Sequence, residues 1–182
     1  MLDRASKSIF IHQRKTGGVA VIGAFGYTPD SPDWHAYNNG VLDKGWEARP
    51  AGYYIFTTIR NPFDRLISAW KYLESTRNRG LLEVLLNPPQ EGADYRHLTR
   101  PQVAILRDTA GNLVPDYLMR FEHLQEDFDA VCDRIGKPRT ALRKVNVGDA
   151  RERHYRPYFN VDTRHLAETL FRDDLDAFGY SF

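Results

Sequence analysis

The sequence predicts an α/β fold: a single domain, three layers deep, with a parallel sheet flanked by helices. Three observations lead there. At three places a run of apolar and β-branched residues passes directly into a helical pattern, and repeated strand–helix units build parallel sheets covered by helices. The length of 182 residues matches one domain of the usual ~100–200 residues. A composition of 42% hydrophobic and 13% aromatic residues supplies a core, whereas disorder needs few aromatics and a high net charge.

The first pair is the run Ile9-Phe10-Ile11-His12, followed after Gly17-Gly18 by a helix over residues 19–25. The second opens with a buried strand over residues 53–59, rich in aromatic and β-branched side chains. A helix start follows, with Asn61 as N-cap, Pro62 at the first helical position and Asp64 in the first turn. Phe63, Leu66, Ile67 and Trp70 then form one apolar stripe. In the third pair a strand over 117–121 leads into a helix over 122–135. There Leu124, Phe128, Val131, Cys132 and Ile135 keep helical spacing and Gly136 is the stop. A last amphipathic helix covers 162–175, with Leu166, Leu170 and Phe171 on its apolar side, in a tail made acidic by Asp162, Glu168, Asp173, Asp174 and Asp176. Asn87-Pro88-Pro89-Gln90-Glu91-Gly92 reads as a loop within the domain.

With 25 basic and 24 acidic residues the net charge is +1, so no global field draws the chain to nucleic acid or an anionic membrane. Arginine supplies 19 of the 25 basic residues. Its planar fork suits phosphate and carboxylate, although a genome-wide preference for Arg produces the same bias. Locally, Arg134, Lys137, Arg139, Arg143, Lys144, Arg151, Arg153 and Arg156 face only Asp149 and Glu152, a distribution that fits a small anion site. The single cysteine, Cys132, excludes a disulfide framework and a thiolate zinc cluster, and no ligand cluster calls for a metal. The apolar runs at 9–11 and 19–25 are too short for a signal segment or a membrane span. The expectation is a soluble, cytoplasmic protein without a membrane anchor.

Two of the three junctions carry chemistry. In Gln13-Arg14-Lys15-Thr16-Gly17-Gly18 the paired glycines let successive N–H groups converge, and Lys15 adds a full charge. The nucleoside-triphosphate loop places its lysine after the glycines; here Lys15 precedes them. A plain strand-to-helix turn with a solvated lysine is the alternative. The second junction runs from Arg60 to Trp70, with an arginine at the strand end and Ser68 two turns into the helix. At ~100° per residue Ser68 lies well away from the apolar stripe. Arg60 and Ser68 near a helix start suit a phosphate; a capped surface helix has the same pattern.

Together these segments resemble the sulfotransferase family. Residues 9–18 are similar to its 5′-phosphosulfate loop, usually Pro-Lys-Thr-Gly-Gly-Thr-Ser after a strand. Arg60 to Trp70 is similar to its 3′-phosphate motif, Arg-Asn-Pro-x-x-Arg-x-x-Ser-Ala-aromatic, and the Arg-to-Ser spacing agrees. Arg120-Phe121-Glu122-His123-Leu124 with Asp127-Phe128, then Asn146-Val147, His154-Tyr155-Arg156 and Phe178-Gly179-Tyr180, resemble segments of the heparan- and chondroitin-type carbohydrate sulfotransferases and their bacterial relatives. The likeness runs over roughly residues 8–180, and the second motif is its specific part.

The resemblance implies a P-loop-like architecture and the donor 3′-phosphoadenosine 5′-phosphosulfate (PAPS), with no metal. It implies in-line transfer of a sulfuryl group to a sugar or small-molecule acceptor. Lys15 would stabilise charge on the bridging oxygen. Arg14 and the backbone of Thr16, Gly17, Gly18 and Val19 would hold the 5′-phosphate, Arg60 and Ser68 the 3′-phosphate, and Tyr155 and Arg156 would close over the nucleotide. His35 falls where related chains often carry a catalytic histidine; Asp33 and His154 are the reserve bases. Two departures stand out. Arg14 replaces the usual Pro, and Val19-Ala20 replaces Thr-Ser, removing hydrogen bonds worth about 1.5–3 kcal/mol each to a charged group. Two further readings follow: a degenerate nucleotide- or glycan-binding module, and a nucleotide kinase, against which the lysine placement argues. The acceptor pocket is expected in the loops at 27–50 and 80–101. Trp34, Tyr37 and Trp46 in the first of these suit sugar rings or simple packing.

Overall fold

The computed structural model describes residues 1–37, 42, 46, 50–143 and 154–182. Its elements are β1 Leu2–Asp3, β2 Ser8–Ile11, α1 Gly18–Ala24, β3 Tyr54–Ile59, α2 Pro62–Tyr72, α3 Leu81–Leu86, α4 Gly92–Asp94, β4 Tyr117–Arg120, α5 Leu124–Ile135, α6 Val161–Leu170 and α7 Arg172–Phe178. The chain forms two compact units, Met1–Ile59 with Ala104–Asn146 and Arg60–Val103 with Val147–Phe182.

The first unit holds the sheet, in the order β1-β2-β3-β4. All four residues of β2 and the last five of β3 are buried, as continuous apolar runs must be when a parallel sheet is covered on both faces. β2 pairs parallel with β3 (Ser8↔Tyr54 to Ile11↔Thr57), and β3 pairs parallel with β4 (Phe56↔Tyr117 to Ile59↔Arg120). The α/β class and the three strand–helix units are as the sequence predicts. The two-residue β1 adds to β2 antiparallel, so the sheet is mixed, with an edge strand too short to carry a sequence signal.

Phe10, Phe56 and Met119 from the strands meet Val21 and Ile22 of α1 and Phe128, Val131 and Cys132 of α5 in one core, which also takes Trp34. The helix expected over 122–135 begins as a 3-10 turn at Phe121–His123 and becomes α-helical at Leu124. Asp127 draws that entry tight: its carboxylate accepts the Arg120 N–H at 2.6 Å and the Tyr117 hydroxyl at 3.0 Å. Gly136, at φ 71°, ends α5 as expected.

The second unit is helical. Asn61 caps α2 by accepting the Phe63 N–H at 3.0 Å, with Pro62 in the first turn. Phe63, Leu66 and Ile67 bury against Leu81, Val84 and Leu85 of α3, Leu98, and Ala167 and Phe171. Part of the segment expected as a loop over 80–101 is therefore helix α3, with Leu81, Val84 and Leu85 inward. The single helix expected over 162–175 is two. It breaks at Phe171 (φ −109°, ψ 19°), whose ring is wholly buried beneath the Arg65 guanidinium, 5.4 Å from its centroid. Tertiary packing overrides the local helical period here. It also turns Asp174, one of the acidic residues of this tail, into the interior.

Candidate functional site

β2 ends at Ile11, and the loop to α1 is held by shape. His12 is 6% exposed, its ring lying near Phe10 (centroids 6.2 Å apart) and edge-on to Trp34 (6.4 Å). A Cβ at Gly18 would stand 2.3 Å from the His12 ring, and a Cβ at Gly17 would stand 2.9 Å from Leu124 and 3.2 Å from Phe121. Gly17 also adopts φ 80°. Both glycines are thus sterically required. The Phe121-Glu122-His123-Leu124 segment buttresses this loop, which is why the third junction matters to the first. Thr16 is buried, and its hydroxyl donates to the Gln13 carbonyl at 3.1 Å, closing the turn with its side chain. Lys15 takes φ 66°, left-handed backbone that costs a non-glycine residue about 1–3 kcal/mol and clusters at functional sites. The first N–H groups of a helix have no intrahelical acceptor, and Ala20 already donates to Gly17 at 3.0 Å. Arg14 is half-buried; Val19 is 47% exposed, and Ala20 is half-buried. The Gln13 Nε2 is buried, with no hydrogen-bond acceptor among the described residues.

The second junction is held by polar bonds and buried charge. The Arg60 Nε donates to Asp64 Oδ2 at 2.8 Å. The Gln102 side chain grips the Arg60 peptide from both sides: Oε1 accepts the Arg60 N–H and Nε2 donates to the Arg60 carbonyl, each at 2.9 Å. Arg65, the second arginine of the motif, is 2% exposed. Its guanidinium donates to the carbonyls of His97 (3.2 Å) and Arg100 (2.6 Å), so it is a structural cation. Burial pulls its pKa down to about 10, against the pull of Asp174 upward. Ser68 is half-buried on α2.

Tyr155 stacks on Phe63 (centroids 6.0 Å) and its hydroxyl accepts from Asn61 Nδ2 at 3.4 Å. The Arg156 guanidinium lies over Tyr155 at 5.9 Å and over Phe182 at 5.7 Å. His35 is exposed beside Trp34, ring centroids 6.2 Å apart. Of the reserve bases, Asp33 pairs with Arg4 at 3.5 Å, and His154 Nδ1 accepts the Arg156 N–H at 3.3 Å. Trp34 and Trp46 are buried, and Trp46 Nε1 donates to the Ile105 carbonyl at 2.9 Å. Both indoles are packed into the interior.

In the described part of the basic stretch three side chains have partners. Lys137 pairs with Asp3, Arg139 forms a fork on Asp133 (3.0 and 2.6 Å), and Arg134 lies over the Tyr54 ring. Lys144, Arg151, Arg153 and the pair Asn146-Val147 lie outside the described residues. No cluster of three His, Cys, Asp or Glu suited to a metal occurs among the described residues.

Sequence reasoning missed Gln102 and Asp174. Asp174 left one signal: it falls three and four residues after Phe171 and Leu170, on the apolar stripe of its helix. Gln102 left none.

Residues 29–181, most of the chain, match the model of the sulfotransferase family. The chain belongs to the sulfotransferase family. Within this sulfotransferase the matched span holds the whole Arg60-to-Trp70 motif, Tyr155 and Arg156, while the Lys15 loop precedes it. No curated protein and no solved structure matches the chain. Among the described residues no helix is long and apolar enough to cross a membrane.

Proposed function

We propose that this sulfotransferase takes its sulfuryl group from PAPS and transfers it in line to a hydroxyl of a carbohydrate or small molecule in the cytoplasm. The observation that carries the reading is Lys15, held at φ 66° in a loop whose two glycines admit no side chain. Backbone strain of that kind clusters at active sites and ligand clamps. The donor set fits a phosphosulfate: a lysine, an arginine, backbone N–H groups and a hydroxyl, all suited to anionic oxygens.

In this reading Arg14 and the N–H groups of Thr16, Gly17, Gly18 and Val19 grip the 5′-phosphate. Arg60 and Ser68 take the 3′-phosphate, with Tyr155 and Arg156 against the nucleotide. His35 accepts the proton of the acceptor hydroxyl as its oxygen forms the new bond to sulfur. The bond from sulfur to the bridging phosphate oxygen breaks, and Lys15 neutralises the charge left there. A fixed lysine and a positioned base supply what such a transfer needs, namely orientation and charge stabilisation.

Calorimetric titration with adenosine 3′,5′-bisphosphate tests the donor site. Binding at micromolar or tighter levels, lost in Arg60→Ala, is expected; a folded wild type that does not bind overturns it. Donor-dependent sulfation across an acceptor panel, absent in Lys15→Ala and reduced in His35→Ala, tests the chemistry. Val19, 47% exposed where the family loop carries a hydroxyl, favours a second reading, a binding module without turnover. Tight nucleotide binding with no sulfation of any acceptor would select it.

A further inference from the structure

Arg60 owes its position to a side chain distant in sequence. An arginine that must meet a phosphate with both arms of its fork needs a fixed peptide, because small displacements of a positioning group are costly. Gln102 provides this with the two reciprocal 2.9 Å bonds to the Arg60 N–H and carbonyl. Gln102 is itself held: Asp174 Oδ2 accepts its backbone N–H at 2.8 Å and its Nε2 at 3.2 Å, and Oδ1 accepts the Val103 N–H at 2.8 Å. Gln102 is 1% exposed and Asp174 wholly buried. Burial pushes the Asp174 carboxyl above its ordinary range, and the positive charge of Arg65 and the N–H groups of Gln102 and Val103 pull against that shift. Burying a carboxylate is costly unless hydrogen bonds satisfy it, and the bonds that satisfy Asp174 are the ones that fix Gln102 and Val103. The use of Asp174 here is positional.

We propose that Gln102, locked by Asp174, is a positioning residue that sets Arg60 for the 3′-phosphate and so selects nucleotides carrying one. This rests on the PAPS reading above. The amide suits the task because it presents an acceptor and a donor side by side, as a neighbouring strand would. No hydrocarbon or carboxylate of that size does both.

The test compares adenosine 3′,5′-bisphosphate with adenosine 5′-phosphate by calorimetry on wild type, Gln102→Met, Arg60→Ala and the double variant. Gln102→Met is expected to bind the bisphosphate about tenfold more weakly, the equivalent of one lost charge-assisted bond, while its affinity for the 5′-phosphate stays within about twofold. In the Arg60→Ala background, where the two nucleotides should bind alike at the residual affinity of the 5′-phosphate, it should change neither affinity, since it acts through Arg60. Should Gln102→Met fail to melt cooperatively, Gln102→Glu carries the comparison. It keeps the volume and the acceptor for the Arg60 N–H but removes the donor. Equal losses for both nucleotides, no loss for either, or effects that add to those of Arg60→Ala overturn the proposal. A wild type indifferent to the 3′-phosphate overturns the donor reading and the clamp with it. A preference kept intact in the Gln102 variants overturns the clamp alone.

Discussion

At the end of β2 the backbone is confined by bodies: the His12 ring against Gly18, Phe121 and Leu124 against Gly17. After β3 it is confined by bonds, with Gln102 on the Arg60 peptide, Asn61 on the Phe63 N–H and Asp174 behind Gln102. Each answers a different hazard. Lys15 sits in left-handed backbone, which relaxes unless neighbours block every other path. Arg60 needs no unusual backbone, only a peptide that does not rotate. Steric confinement fails abruptly when atoms are added, whereas a polar network fails when one partner is removed and its mate stays buried.

That contrast can be broken most forcefully at the second junction. Asp174→Leu leaves the buried N–H groups of Gln102 and Val103 without their acceptor and removes the negative charge that acts on Arg65, and should cost about 3–5 kcal/mol in chemical denaturation. Arg65→Met added to it should recover much of the loss. A cost below about 1 kcal/mol for the single change would mean that charge does not hold this region. Next in size, Gly18→Ala drives a methyl into the buried His12 ring and should cost about 1–3 kcal/mol, together with nucleotide binding. His12→Ala in the same chain should return part of the binding. Retention of full affinity by Gly18→Ala would remove the steric account of the first loop.

Asn61→Ala sharpens the comparison with a smaller effect, about 1 kcal/mol for a lost N-cap, read by thermal melting and felt in α2. The smallest expected effect is a pH term. Burial pushes the Asp3 carboxyl up, but Lys137 and the Ser6 N–H more than offset it and leave the pKa below its ordinary value. Its stability contribution is therefore present above the unfolded pKa of about 3.9 and is lost as pH falls through the lower folded value. Asp3→Asn should flatten the acid limb of the stability curve while leaving nucleotide affinity at pH 7 unaltered. An unchanged acid limb would show that the pair contributes nothing.

The legible features share one property: their cause lies within a few residues. Asn61, Pro62 and Asp64 start α2 because a cap, a fixed φ and a first-turn acid act locally, and Gly136 ends α5 for a similarly local reason. Lys15, Gly17, Gly18 and Arg60 were visible as site candidates because their spacing resembles a family pattern. The clamp on Arg60 was hidden, since Gln102 is 42 residues away and Asp174 a further 72. The helix break at Phe171 was hidden by an unbroken amphipathic period.

By itself, then, the sequence determined the α/β class, the strand–helix junctions, the helix caps and the family. These rest on local propensity, periodicity and motif spacing, which are properties of neighbours in the chain. Only the tertiary structure decided that Arg65 is a buried cation, that Asp174 faces inward, that Trp34 and Trp46 pack rather than present their faces, and that Gln102 holds Arg60. A charged or polar side chain is buried only where distant groups compensate its lost hydration, and those groups come together only when the chain folds.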